Sequence, residues 1–238
     1  MFDSPKRLAR IAGVFYLLVA IFGGFAEGYV DPKMYVAGDA AATAGNVVAN
    51  SGLVRIGVVA HLVDAVFFLL TAIALYLLLK HVHRNAARVM VAFVALAAGM
   101  ISLNAVFQFE GLQVATNGSY ATAFGTAGSQ ALVLLLLDIQ HYGTLAAQVF
   151  FGLWLAPLGY LAYMSGMFPR VLGVVLVAAA VSYLVDVFAA FLVPDAARQI
   201  HQFLIILPII GEVGMLAYLL VIGVKVVSPS IEGNPVDG

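Results

Sequence analysis

Histidine and aspartate stand three residues apart at two places in this sequence, His61 with Asp64 and Asp138 with His141. Residues three apart share one face of a helix, so each pair presents an imidazole beside a carboxyl group. Such groups bind divalent metals, transfer protons as general acid or base, or satisfy one another by hydrogen bonding. Both pairs lie in apolar sequence, where an ionisable side chain is costly and marks a candidate site.

Further polar residues lie at similar depths in other apolar segments. Asp186 and Glu212 have no basic residue close to them in sequence, and with Asp64 they are the candidate catalytic acids or bases. The candidate binding residues are Glu27, Arg55, Asn104 and Gln108. For Glu27 and Arg55 we favour an ion pair that joins the first two helices over a chemical role.

Three kinds of metal site are open to this set of residues. The two His/Asp pairs with the two deep acids resemble the dimetal sites of helical bundles. A single zinc held by His61, His141 and His201, or a haem between His61 and His141, would use fewer ligands. We assign a divalent metal to His61, His141 and Asp138 as the metal hypothesis. Because no diagnostic spacing such as H-E-x-x-H occurs, we favour plain hydrogen-bonded pairs.

The composition requires a lipid environment for the chain. Of the 238 residues, 63% are hydrophobic and 10% are charged, and the mean hydropathy is +1.06. A soluble domain carries about 25% charged residues, so this chain could not build a water-facing surface. A net charge of −1 gives no field that would attract nucleic acid. The absence of cysteine excludes disulfides and thiolate ligands.

Six hydrophobic segments are each long enough to span a bilayer, which needs about 20 apolar residues. The sequence therefore predicts an all-α integral membrane protein, a single domain over 1–238 built as a six-helix transmembrane bundle. The predicted spans are 10–30, 54–79, 89–109, 130–164, 171–193 and 201–224, followed by a short cytoplasmic tail at 225–238. The fourth is too long for one upright span, so we expect it to project past the membrane or to bend near Gly143. A short surface helix capped by Asp39 is predicted in the first outer connection.

Basic residues fix the expected orientation. With both termini in the cytoplasm, eight basic residues fall inside: Lys6, Arg7, Arg10, Lys80, Arg84, Arg88, Arg170 and Lys225. Only Lys33, Arg55 and Arg198 fall outside, which is the bias that cytoplasmic loops carry. The acids and His61 and His141 then lie in the outer halves of the helices, above apolar inner halves. We expect a polar cavity open to the outside and closed below by a dry plug.

Several short motifs resemble an uncharacterised bacterial membrane family, catalogued as domain of unknown function 4386. They are Arg7-Leu8-Ala9-Arg10-Ile11-Ala12-Gly13, Gly38-Asp39-Ala40-Ala41-Ala42-Thr43-Ala44, His141-Tyr142-Gly143, Phe150-Phe151-Gly152-Leu153, Gly159-Tyr160-Leu161, Phe168-Pro169-Arg170-Val171-Leu172-Gly173 and Tyr183-Leu184-Val185-Asp186. The resemblance spans about residues 7–225 and implies a multi-pass protein of the bacterial plasma membrane with no assigned activity. Family members often carry a histidine where this chain has Trp154, which leaves His141 as the histidine that matches the pattern.

Three function classes follow from these residues. A non-catalytic protein would bind a small molecule, a lipid or a partner in the outer polar site. A metal-dependent intramembrane hydrolase or oxidoreductase would act on a lipid or small molecule at the outer leaflet. A proton-coupled transporter is disfavoured, because its midplane site needs a polar path on both sides. No complete catalytic constellation is visible, so we place the binding protein slightly ahead and leave open whether the chain is an enzyme.

Overall fold

The computed structural model describes residues 4–225 of the chain. Most of these residues are helical. The helices are α1 (Pro5–Phe25), α2 (Asp31–Met34), α3 (Ala40–Ala49), α4 (Ser51–Leu79), α5 (Arg84–Thr116), α6 (Gly118–Ser165), α7 (Arg170–Leu192), α8 (Pro194–Leu204) and α9 (Ile206–Val221). A π-helical turn, Ala26–Val30, joins α1 to α2. The tail expected at 225–238 lies, from residue 226 onward, outside the described residues.

Six stretches of the described chain are long and apolar enough to cross a membrane. They are Pro5–Met34, Ser51–Leu79, Arg84–Thr116, Gly118–Ser165, Arg170–Leu192 and Pro194–Val221. The first consists of α1, the π-turn and α2, and the last consists of α8 and α9. The predicted six-span helical bundle is confirmed, and the chain is a multi-pass membrane protein.

The six spans form a closed ring in chain order. Helix α1 packs on α4, α4 on α5, α5 on α6, α6 on α7 and α7 on α9, and α9 returns to α1. At one end of the ring the spans are joined by short turns at residues 80–83 and 166–169, and we call this the Lys80 end. The connection between the first two spans marks the opposite end, which we call the Asp31 end.

An aromatic side chain fills the centre of this ring. Trp154 of α6 is 1% exposed, and its ring lies 5.7 Å from that of Tyr16 in α1 and 5.1 Å from that of Phe68 in α4. Both pairs are edge-to-face, the arrangement that aromatic quadrupoles favour. Because the three rings come from three different spans, Trp154 points inward from α6 across the bundle. Apolar side chains such as Leu75, Met90 and Leu158 extend this core.

Glycines allow the closest helix contacts. A Cβ atom on Gly159 of α6 would lie 2.6 Å from the carbonyl oxygen of Gly173 in α7, so the two backbones touch. A Cβ atom on Gly143 would lie 2.3 Å from Oδ1 of Asn104 in α5. Gly143 is thus a contact point between α5 and α6. The interruption in α6 lies at Gly125 instead, where φ is 71° and ψ is 165°.

Helix α3 closes over the Asp31 end. Its N-cap is Asp39, whose Oδ1 accepts a hydrogen bond of 2.9 Å from the backbone N–H of Ala42, as the sequence predicted. Ala44 and Val47 of α3 are buried in a second apolar cluster together with Val30 and Met34 of the first span. The short helix therefore covers this end of the bundle and is part of its packing.

The first span continues four residues past its predicted end. The backbone N–H of Asp31 bonds to the carbonyl oxygen of Ala26, five residues earlier, and so forms a π-turn. The next residue, Pro32, has no N–H to donate, and the chain still continues as helix to Met34. The helix was predicted to end at Val30, with Asp31 in the outer connection. Instead, Asp31 is part of the bundle, and π-turns of this kind are frequent at functional sites.

Candidate functional site

The carboxylate of Asp31 accepts hydrogen bonds from three other spans. Nε2 of Gln108 in α5 donates to Oδ1 at 2.6 Å, and Nε2 of Gln140 in α6 donates to Oδ2 at 2.8 Å. Nε2 of His61 in α4 lies 3.1 Å from Oδ2 and 3.3 Å from Oδ1. His61, Gln108 and Gln140 are all buried. One carboxylate therefore ties the first four spans together.

Only half of this network was predicted from the sequence. His61 and Gln108 were predicted as site residues, but the predicted partner of His61 was Asp64, and Asp31 and Gln140 were not predicted. The signal for Asp31 was its position four residues after Glu27, which places both acids on one helical face. Pro32 obscured this indication, because the residue before a proline usually does not adopt a helical conformation and the helix is therefore expected to end there.

Asp64 lies in a notch made by a glycine. Its carboxyl group would be 3.2 Å from a Cβ atom on Gly23 of α1, so a larger residue at position 23 would press on this side chain. The side chain is 4% exposed, and its Oδ1 is buried without a hydrogen-bond partner among the described residues. Burying an acceptor without a partner is costly, so Asp64 has unused capacity to bind.

Glu212 of α9 joins two further spans. The hydroxyl of Tyr16 in α1 donates to Oε2 at 2.7 Å, and the hydroxyl of Tyr183 in α7 donates to Oε1 at 3.1 Å. Glu212 was predicted from the sequence as a candidate catalytic acid or base, but neither tyrosine was among the candidate site residues. A phenol has an apolar ring and a polar tip, so sequence alone does not show whether its hydroxyl is used.

Asp138 and His141 meet through a third residue. The hydroxyl of Tyr35 donates to Oδ1 of Asp138 at 2.5 Å, and the Tyr35 ring stacks on His141 with centroids 4.9 Å apart. Burial and the adjacent Asp138 carboxylate raise the pKa of the Tyr35 phenol above its ordinary value. Tyr35 follows α2 directly, so it was missed for the same reason as Asp31.

The remaining candidate residues lie in separate places. Asp186 pairs with His201 of α8, whose Nδ1 is 2.8 Å from Oδ2. Nδ2 of Asn104 donates to Oγ1 of Thr144 at 3.4 Å. Arg55 lies over the ring of Phe109, 5.8 Å from its centroid.

Two hypotheses from the sequence concern an ion pair between Glu27 and Arg55 and a metal site. Within residues 4–225 no ion pair joins Glu27 to Arg55. The same residues contain no group of three or more histidine and acidic side chains placed to hold a metal ion. A divalent metal at His61, His141 and Asp138 stays a prediction, which metal analysis of the purified protein would test.

A lateral cavity of about 410 Å³ opens between the first span and α6 near the Asp31 end. It is lined by Glu27, Asp31, Pro32, Tyr35, Gln140, His141, Thr144, Leu145 and Gln148. The hydrogen-bonded Asp31 carboxylate is thus part of an accessible wall. Amide, hydroxyl, imidazole and carboxyl groups along this wall could all bind a polar ligand.

A smaller central cavity of about 120 Å³ lies inside the ring. It is lined by Val19, Gly23, Glu27, Asp64, Phe68, Ile101, Phe151, Trp154, Tyr183 and Glu212, which together come from all six spans. Glu27 lines both cavities, so the two adjoin at this side chain. Trp154 and Phe68, which fill the centre of the ring, also form part of the wall of this cavity.

The chain was compared with protein families, with curated proteins and with solved structures. A family model described as "Domain of unknown function (DUF4386)" matches residues 11–223. The chain belongs to the DUF4386 family. The match confirms the resemblance found in the sequence motifs, and it includes every residue of both cavities. Comparison of this DUF4386 chain with curated proteins and with solved structures finds no match.

Proposed function

We propose that this protein binds a small polar ligand, which enters the lateral cavity from the extracytoplasmic side of a bacterial inner membrane. The observation that carries the proposal is Asp31, a carboxylate within a membrane span that is held by three donors and still lines an open cavity. Ionisable groups at such positions are expensive and usually serve binding or transport.

The fixed geometry of the cavity wall supports binding. Gln108 and Gln140 each use an amide N–H to hold Asp31, so the carboxylate is oriented before any ligand arrives. A ligand then meets a polar surface that needs little reordering, which lowers the entropic cost of binding. The stacking of Tyr35 on His141 fixes a second part of the same wall.

Charge distribution supports the orientation. Lys80, Arg84 and Arg88 lie in or beside the turn between α4 and α5, at the Lys80 end of the bundle. Other basic residues at that end are Arg7, Arg10 and Arg170. A surplus of lysine and arginine is typical of cytoplasmic loops, so the Asp31 end faces the extracytoplasmic side.

Cysteine labelling tests both the opening and the orientation. Because the native chain has no cysteine, a single introduced thiol reports its own position. We expect Gln148→Cys, in the wall of the lateral cavity, to react with a membrane-impermeant maleimide added to intact cells lacking the outer-membrane barrier. Asn85→Cys, exposed at the Lys80 end, should react only in inside-out vesicles.

A third position separates the two parts of the proposal. Ser119 is exposed at the start of α6, at the Asp31 end. Labelling of Ser119→Cys therefore reports the orientation of the protein and does not depend on access to the cavity. Labelling at 119 without labelling at 148 would show that the cavity is closed to water and would refute ligand entry there. Labelling at 85 and not at 119 in intact cells would show that the orientation is reversed.

A further inference from the structure

We infer that the central cavity binds a small organic cation, an ammonium group with compact apolar substituents. This inference rests on the proposed function, because the lateral cavity would be the route by which the cation enters. It names the chemical class of the ligand from the charge, the aromatic surface and the size of the central cavity.

Three carboxyl groups without a basic side chain beside them are the first argument. Three carboxyl groups line the central cavity, those of Glu27, Asp64 and Glu212, and the described lining residues include no lysine, arginine or histidine. His61, the nearest imidazole to Asp64 along α4, is already engaged by Asp31. Inside a bilayer a carboxyl group either takes up a proton or pairs with a cation, and an organic cation in this cavity would supply the second arrangement.

The unpaired oxygen of Asp64 is the second and independent argument. Glu212 is satisfied by two tyrosine hydroxyls, whereas Asp64 Oδ1 has no donor among the described residues although its side chain is 4% exposed. Gly23, which approaches this carboxyl group closely, lines the same cavity. A cation beside Asp64 would supply the interaction that its buried oxygen lacks.

Aromatic surface and volume define the cation further. Phe68, Phe151, Trp154 and Tyr183 line the same cavity, and aromatic faces attract organic ammonium groups. A volume of about 120 Å³ corresponds to roughly four water molecules at ~30 Å³ each. An ammonium with a few methyl groups fits this space, whereas a long-chain lipid does not.

Trp154 makes the inference directly measurable. It is the only tryptophan in the chain, and it lies in the cavity wall. We expect tetramethylammonium chloride, titrated into the detergent-solubilised protein, to change the Trp154 emission saturably and to raise the unfolding temperature. Sodium chloride at equal ionic strength and the uncharged analogue tert-butanol should do neither. Asp64→Asn should weaken the tetramethylammonium affinity by about tenfold or more.

Matched variants and probes decide the result. Asp195→Asn makes the same chemical change at an exposed position of α8 and should leave the affinity unchanged. If size exclusion and circular dichroism show that Asp64→Asn is not folded, Glu27→Gln takes its place as the test variant. The inference would be overturned if tetramethylammonium changed neither the Trp154 emission nor the unfolding temperature, or if tert-butanol had an equal effect. It would also be overturned if zinc or magnesium gave a saturable response and tetramethylammonium gave none. With Gln148→Cys still labelled, that result would leave the proposed function standing.

Discussion

Replacing Asp31 by alanine is expected to lower the free energy of unfolding by about 3 kcal/mol, which we take as ~1 kcal/mol for each of three hydrogen bonds. The variant removes the shared acceptor and leaves the donors of His61, Gln108 and Gln140 buried. In a thermal unfolding experiment in detergent this loss corresponds to a fall in Tm of roughly 10 °C.

A control and a double-mutant cycle make this result specific. Asp195→Ala, which removes an exposed carboxylate from α8, should leave the Tm within about 1 °C. Once Asp31 is gone, Gln140→Leu should cost less than it does in the native background, because its partner is already missing. A fall of less than ~1 kcal/mol for Asp31→Ala would show that the network does not hold the spans together.

Glu212→Leu is expected to destabilise the protein by about 2–4 kcal/mol, because it leaves the hydroxyls of Tyr16 and Tyr183 buried without an acceptor. Removing both partners of a buried hydrogen bond is less costly than removing one. The triple variant that adds Tyr16→Phe and Tyr183→Phe should therefore be more stable than Glu212→Leu alone. Chemical or thermal unfolding of the native protein, Glu212→Leu and the triple variant measures this recovery.

The two tyrosine changes in the native background complete the comparison. Tyr16→Phe and Tyr183→Phe should each lower the free energy of unfolding by about 1 kcal/mol, since each removes one donor to Glu212. If the triple variant lost as much stability as the sum of all the single changes, the three side chains would act independently. That outcome would contradict the assignment of Glu212 as a link between three spans.

The central part of each span was predictable from sequence because a span requires a run of about 20 apolar residues. The second span was predicted as 54–79 and is Ser51–Leu79, and the fifth was predicted as 171–193 and is Arg170–Leu192. The sixth was predicted to start at His201, whereas helix already begins at Pro194 with α8. The polar residues of α8, such as Asp195 and Arg198, give it a low mean hydropathy, so its first turns do not resemble a membrane span.

Partners across the bundle were not predictable in the same way. The spacing of His61 and Asp64 shows that they share a face of α4, but it does not show which groups on other spans compete for the imidazole. Asp31 is the group that contacts the His61 imidazole, because a π-turn keeps the first span helical through Asp31. The sequence instead suggested that the helix ends before Pro32. In the structure Val30 of this turn packs against Gly57 of α4, a tertiary contact that a single sequence does not reveal.

The placement of Trp154 on the inner wall of a cavity lined by all six spans is the central feature of the fold. Its most direct test is the quenching of Trp154 emission by lipids with brominated acyl chains, a short-range effect, after reconstitution into bilayers. A helix is about 10–12 Å across with its side chains, so an inward-facing Trp154 is shielded from lipid. We predict little quenching of the native protein and strong quenching of a Trp154→Phe, Phe188→Trp control, since Phe188 is 52% exposed on α7. Strong quenching of native Trp154 would place it against lipid and contradict the account.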